Sequence, residues 1–194
     1  MTDDVATAPA PTGFHIMMPP GWSRYLVDDE GKRALIAQIS RRMRELSRPD
    51  LDAEARTLVE VQWRKLRSAR ITAIYLPGEG DEVLPTASIA VRQHAAPAGT
   101  DFAQSLRAVT SAPIETFDTP IGTVLRWVEE TRGEGEIAEI RSRQIGYGFP
   151  LPGVGERRGL VFLAATPYLD DSSEDMVDAL TERVDTIMET FRWR

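Results

Sequence analysis

The residue types that most often carry acid–base, nucleophilic or metal chemistry are scarce in this chain. Its 194 residues include only two histidines, His15 and His94, and no cysteine. The histidines form neither an HExxH motif nor a pair at helical spacing, so the sequence predicts no zinc site. Without cysteine there is no thiol nucleophile and no disulfide framework. We therefore expect no metal, no cofactor and no catalytic residue of these types.

Each histidine stands in a context that favours a structural or surface role. His15 lies in a predicted strand whose neighbours Phe14 and Ile16 face the other way, and His94 ends another predicted strand.

No serine occupies the strained GxSxG elbow that nucleophilic serine chemistry needs. The glycine pattern at 153–159 precedes a strand rather than a helix, so it favours a hairpin turn over a phosphate-binding loop.

Carboxylates are the remaining groups that could do chemistry. The acidic run at 170–175 lacks the alternating ligand spacing and central glycine of an EF-hand loop, and it favours a capped helix start instead. The acidic turns at 79–82 and 134–136 are expected to be solvated hairpins. Because carboxylates are paired in those turns, an enzyme with carboxylate-based chemistry is the third and last function that we consider, after the two binding functions given below.

The balance of charge indicates what kind of partner would suit the chain. The net charge is −7, which argues against nucleic-acid binding because phosphate contacts need a basic surface. Residues 41–70 hold nine basic and five acidic side chains, whereas residues 170–194 hold eight acidic and three basic ones. Solvated helix faces explain this distribution, and a surface matched in charge to a partner protein is the more specific interpretation.

One cluster of arginines is a candidate partner-binding surface. Arg41, Arg42, Arg44 and Arg48 follow one another at the end of a predicted helix. Nucleic acid would call for aromatic side chains among the basic ones, and Trp63 alone gives that reading thin support. A solvated face and an acidic protein partner are the two interpretations that stay open.

The loop between the last two long predicted strands is the second candidate surface. The stretch from 150 to 158 places the apolar Leu151 and Val154 beside Arg157 and Arg158. Loops carried on a rigid sheet commonly perform recognition. Ordinary turn chemistry explains the same residues, so both interpretations stay open here too.

The elements that would position these surfaces follow from hydrophobic periodicity and from turn residues. In the second helix the predicted buried positions are Ala55, Leu58, Val59, Gln62, Leu66 and Ala69, with Trp63 at their margin. Strands are predicted at 14–18, 22–27, 71–76, 86–93, 112–118, 121–132, 137–149 and 159–166, and helices at 30–47, 50–70, 101–109 and 173–190.

This order of elements predicts an α+β fold of one domain. Consecutive hairpins favour an antiparallel sheet, and the run at 160–165 is apolar on both faces, so it should be a central strand covered on both sides. We expect an antiparallel sheet of about six or seven strands sandwiched between helices, an α/β/α arrangement. The domain should span residues 13–194 and follow a disordered tail at 1–12, which is acidic and rich in Ala and Pro.

Three segments of the chain resemble the PsbP-like superfamily, which includes the Ran-binding Mog proteins and uncharacterised actinobacterial-type members. They are the opening FHIMMPPGW at 14–22, the YGFP at 147–150 with the turn and apolar strand after it, and the closing helix that ends TFRW at 190–193. The resemblance implies an antiparallel sheet between helices. It also implies a binding protein or chaperone without catalytic residues, some members being associated with secretion, and it carries over no site residues.

These observations lead to an expectation of binding rather than catalysis. We expect a non-enzymatic protein-binding module, a cytosolic adaptor or chaperone that could serve a secretion system, acting as a monomer or homodimer. The first alternative is a carrier of a small apolar ligand held between sheet and helices. No apolar run approaches the roughly 18 residues that span a bilayer, and the N-terminus lacks signal-peptide features, so we expect a cytoplasmic protein without membrane insertion.

Overall fold

The computed structural model describes residues 11–78, 87–133, 139–153 and 157–194, and over them the chain forms an α+β fold around one large sheet. Within these ranges, seven antiparallel strands lie in the order β2-β3-β4-β8-β7-β6-β5, and four α-helices pack on this sheet. The strands are β1 Phe14–His15, β2 Ser23–Leu26, β3 Ile71–Leu76, β4 Ser88–Ala95, β5 Glu115–Thr119, β6 Gly122–Arg132, β7 Ile140–Pro150, β8 Arg158–Leu169 and β9 Arg192–Trp193, and the helices are α1 Asp29–Glu45, α2 Asp52–Ser68, α3 Phe102–Val109 and α4 Glu174–Glu189.

The predicted sandwich is confirmed, and β8 lies at its centre. The apolar run of β8 pairs with β4 on one side and with β7 on the other. Phe162 and Ala164 face one side of the sheet and are fully buried, while Val161 faces the other side and is buried as well. A strand buried on both faces reads as a continuous apolar run rather than an alternating one, which is how the sequence identified it.

Helix α4 covers one face of the sheet. Ser173 caps its start by accepting a hydrogen bond from the backbone N–H of Met176 at 3.3 Å. Apolar side chains recur along α4 at helical spacing and join the core that contains Phe162 and Ala164. The buried positions include the predicted stripe, which is Val177, Leu180, Val184, Ile187 and, just beyond the helix, Phe191.

The other three helices cover the opposite face. Helix α3 places Phe102 and Leu106 against Val161. Glycines on this face make room for large side chains: a Cβ added at Gly146 would lie 2.0 Å from the ring of Trp127. The sheet surface is therefore shaped to accept the Trp127 ring at contact distance.

Helices α1 and α2 form an antiparallel pair over β2 and β3, and here one sequence prediction is wrong. Trp63, placed at the margin of the α2 stripe, is the most buried residue of that helix at 2% exposure, and its indole N–H donates to the carbonyl oxygen of Asp28 at 3.1 Å. Leu58, Gln62 and Ala69, expected to be buried, are exposed. The buried face is rotated because Trp63 fills the space beside Ile74 and Tyr25.

Residues 12–15 and 192–194 meet in a small second sheet that the sequence did not predict. β1 pairs with β9 through Phe14 and Trp193, and the backbone N–H of Thr12 donates to the carbonyl oxygen of Arg194 at 2.6 Å. The first strand is shorter than expected, because residues 16–18 continue without strand pairing. Most of the predicted tail, residues 1–10, lies outside the described residues.

Candidate functional site

The best-formed concavity in the described part of the chain is a cleft between α4 and the strands β5, β6 and β7. Its volume is about 560 Å³, within the roughly 300–1,000 Å³ that small-molecule sites occupy. One side opens to solvent beside β5. The walls are mainly apolar, and they are formed by Phe117, Ile121, Val124, Phe149 and Met188.

The strand register explains why the apolar walls stand together. Phe117 on β5 is paired with Val124 on β6, so both side chains point to the α4 face of the sheet. Phe149 on β7 stacks on Phe191 at a ring-centroid distance of 3.9 Å, which ties the floor of the cleft to the end of α4. Phe117 is still 46% exposed, because α4 does not reach over β5, the edge strand of the sheet.

One end of the cleft is polar and is built around Asp185 of α4. The Asp185 carboxylate accepts hydrogen bonds from Nε and Nη2 of Arg126 at 2.8 and 2.9 Å. The hydroxyl of Tyr147 donates to the same carboxylate at 2.5 Å. Arg126 and Tyr147 are paired neighbours on β6 and β7, so the sheet presents both donors to one residue of the helix. The arrangement is a charge-assisted network that holds α4 against the sheet.

Burial and hydrogen bonding keep Tyr147 of this network protonated, and hydrogen bonding keeps Arg126 protonated. Burial, and then the hydrogen bond to Asp185, raise the pKa of Tyr147 far above its usual value, so the phenol keeps its proton. The hydrogen bond to Asp185 also raises the pKa of Arg126. The cleft therefore offers a fixed, neutral pair beside apolar walls, which suits binding.

A second ion-pair group lies under the first half of α4. Arg143 on β7 donates to Glu130 at 2.6 Å and to Asp178 of α4 at 2.5 Å, and the hydroxyl of Tyr168 donates to Glu130 at 2.5 Å. Burial alone would raise the pKa of Glu130, but the hydrogen bonds from Tyr168 and Arg143 outweigh it and lower that pKa. Two acidic residues of α4 are thus paired inside the chain, which accounts for part of the acidic C-terminal segment.

The predicted arginine cluster lies at the C-terminal end of α1 and in the turn after it. All four arginines are exposed. Arg41 and Arg42 each lie 3.8 Å from a carboxylate oxygen of Glu45, and Arg48 contacts Asp50 at 3.0 Å. The pKa of Asp52 at the start of α2 is lowered, first by Ser40, then by the charge and hydrogen bond of Arg56, and least by the charge of Arg44. The structure brings the cluster together and gives three of its members local acidic neighbours.

The predicted loop at 150–158 is a separate surface. Its described residues connect β7 to β8: Leu151 is half-buried, and its backbone N–H donates to the carbonyl oxygen of Arg158 at 2.8 Å. Arg157 is exposed and donates to the carbonyl oxygen of Ala96 at 2.8 Å. Val154 lies outside the described residues. This hairpin end lies next to β4, whereas the arginine cluster lies against α2, so the two predicted surfaces do not form one site.

The two histidines lie in different environments. His15 is exposed. His94 is half-buried, its Nε2 lies 2.9 Å from Oγ of Ser105, and burial, followed by the charge of Arg92, lowers its pKa. Within the described ranges no three His, Asp or Glu side chains are grouped so that they could hold a metal ion. Nor does any helix of those ranges have the length and apolar character needed to cross a bilayer.

Comparison with known proteins does not assign the chain to a family. No family model matches the chain, no curated protein matches it, and no solved structure matches its fold. The cleft therefore has to be interpreted from its own residues. Sequence reasoning missed it, although the pattern Phe117–Val124 across a predicted hairpin was a usable signal: it places an apolar pair on the sheet face where a C-terminal helix was expected.

Proposed function

We propose that this chain is a non-enzymatic binding protein, and that it acts as a cytoplasmic adaptor or chaperone by holding an apolar group of a partner protein in the cleft under α4. The observation that carries this proposal is a half-open, mainly apolar cleft beside an exposed aromatic residue, Phe117. Apolar anchors that enter such pockets supply much of the energy of protein–protein recognition. We also propose that the chain is related to the PsbP-like superfamily. That relationship would agree with this function, because it implies a binding protein or chaperone.

The cleft supports binding better than either surface predicted from the sequence. The cluster of arginines at the end of α1 is solvated and largely matched by neighbouring carboxylates, and exposed pairs of that kind contribute about 0–1 kcal/mol. The loop after β7 presents one half-buried leucine among its described residues. Both surfaces remain proposals for additional contacts that tune association rate through charge.

Gentle affinity purification from the producing cell, at several salt concentrations, tests this function. We expect one defined protein to co-purify with the chain and to be lost when Phe117→Ser removes the aromatic side chain at the mouth of the cleft. The matched control is Leu58→Ser, because Leu58 is also a large exposed apolar residue, at 59% exposure, but lies on α2 over the opposite face of the sheet. A chain that returns alone at every salt concentration would refute the proposal.

A carrier of a small apolar ligand is the second candidate, favoured by the volume of the cleft and by its neutral polar end. Native mass spectrometry of the protein isolated from its own cell distinguishes the two. A fixed added mass below about 500 Da that disappears in a Val124→Trp variant, which fills the cleft, would support the carrier. The bare chain mass of 21.6 kDa, together with a co-purified protein, would support the adaptor.

A further inference from the structure

We propose that the partner binds as an extended peptide that adds an eighth strand to the free edge of β5, with one large apolar side chain in the cleft and a basic residue near it. This inference rests on the proposed function and specifies how the partner is recognised. Strand addition uses backbone hydrogen bonds for affinity and alternate side-chain pockets for specificity.

The register of the β5–β6 hairpin shows which backbone groups of the edge are available. A two-residue loop, Pro120 and Ile121, joins the strands, so Thr119 and Gly122 form the first hydrogen-bonded pair. Hydrogen-bonded and non-hydrogen-bonded pairs alternate along an antiparallel ladder. The N–H and C=O groups of Thr116 and Asp118 therefore point outward, away from β6. No strand of the described ranges pairs with that edge.

At the opposite edge of the sheet α1 packs against the end of β2, so the two edges are not equivalent. Helix α1 begins directly over the end of β2: a Cβ added at Gly31 would lie 1.9 Å from the carbonyl oxygen of Leu26. Helix packing at a sheet edge blocks addition of another strand. Strand addition is thus directed to β5.

The side-chain directions of β5 connect its edge to the cleft. Phe117 and Thr119 face the α4 side and line the cleft, while Thr116 faces the other side, where its hydroxyl lies 3.4 Å from Arg107. A strand added beside β5 would place every second side chain on the α4 side. Directly opposite side chains of neighbouring strands lie about 4.5–5.5 Å apart. A large apolar residue at that position would contact Phe117 and enter the open side of the cleft.

Charge favours a basic peptide over a second copy of this chain. Glu115 and Asp118 are exposed on β5, and Glu189 is exposed where α4 borders the cleft. Pairing two copies of the β5 edge would bring the Glu115 and Asp118 carboxylates of both copies into one seam, and like charges across a strand pair are unfavourable. Arg126 and Arg192 also line the cleft and balance its carboxylates, so the excess negative charge lies on the β5 edge itself. Lys or Arg in the peptide would meet Glu115 on the α4 side of that edge or Asp118 on the other side.

The test uses the full chain and a phage-displayed library of random linear ten-residue peptides. We expect enriched sequences to contain a large apolar residue with Lys or Arg nearby. On adding a synthetic copy of an enriched peptide, amide hydrogen exchange should slow at Thr116 and Asp118. It should change little at Phe117, whose N–H already pairs with β6. N-methylation of the peptide at alternate positions should weaken binding about tenfold, and at the intervening positions it should have little effect.

Two variants of the chain separate strand addition from other ways of filling the cleft. Thr116→Pro removes an outward N–H that the β5–β6 ladder does not use, and proline is tolerated at such edge positions. Binding should fall about tenfold in Thr116→Pro and should be retained in Thr116→Val, which keeps the N–H.

Each contrary result has a distinct meaning. Equal binding by Thr116→Pro and Thr116→Val would overturn strand addition while the proposed adaptor function stands, because a protein recovered by gentle purification can still fill the cleft in another way. A library without any binder would also overturn it. Protection of Thr116 and Asp118 that grows with the concentration of the unliganded chain would assign the edge to a second copy instead.

Discussion

Asp185→Ala gives the sharpest test of how α4 is held on the sheet and how the cleft keeps its shape. The substitution removes a carboxylate that accepts two hydrogen bonds from Arg126 and one from Tyr147. It leaves Arg126, whose side chain is 21% exposed, without its closest partner. A matched substitution exists one heptad earlier, because Asp178→Ala removes a carboxylate that also pairs with a sheet arginine, Arg143.

The expected magnitudes differ because the two carboxylates differ in exposure. Breaking a fully buried ion pair costs about 3–5 kcal/mol, and an exposed pair contributes about 0–1 kcal/mol. Asp185 is 31% exposed, so after discounting for solvent screening we expect a loss of about 2–3 kcal/mol. Asp178 is 59% exposed, so we expect a loss of at most about 1 kcal/mol for Asp178→Ala.

Urea unfolding followed by tryptophan fluorescence measures both losses, and thermal unfolding checks them. For a chain of this length a loss of 2–3 kcal/mol lowers Tm by about 4–12 °C. If the two variants lose the same stability, or if Asp185→Ala loses less than about 1 kcal/mol, the network at the polar end of the cleft does not hold α4 as described.

Three further predictions concern the packing and titration of the sheet. Gly146→Ala should lower stability by about 1–3 kcal/mol, because the added methyl group meets the Trp127 ring, and urea unfolding measures the loss. Trp63→Ala should cost about 3–5 kcal/mol in the same assay, as expected of a fully buried indole. The lowered pKa of His94 means that the unfolded chain takes up a proton more readily, so stability conferred by the neutral ring is present above about pH 6.5 and declines as pH falls below it. Unfolding measured from pH 8 to pH 5 should show a shallower decline in His94→Gln than in the wild type or in His15→Gln, and an unchanged decline in His94→Gln would contradict this.

Much of the fold could be predicted because the signals for it are local. Alternating or continuous apolar runs defined the strands, and the apolar character of β8 on both faces predicted its central place. Helical spacing and the serine cap defined α4 within one residue at each end. These patterns depend only on neighbouring residues, so a single sequence displays them.

The rest depended on contacts between distant residues. Arg126 and Asp185 are 59 positions apart, and nothing in either neighbourhood marks them as partners. The pairing of β1 with β9 joins segments that are far apart in the sequence through strands of only two residues, too short for a periodic signal. Trp63 was placed at the margin of its helix because periodicity within α2 fits two faces, and only the space beside β3 decides between them.

Site-specific photo-crosslinking in the producing cell tests the central claim most directly. A benzophenone amino acid would replace Phe117 at the mouth of the cleft and, in a control chain, Leu58 on the opposite side of the sheet. We predict that illumination links position 117 to a segment of one defined protein, identified by mass spectrometry, and that position 58 gives no such product. Equal crosslinking to that protein from position 58, or none from position 117, would contradict the claim that this cleft is where the chain acts.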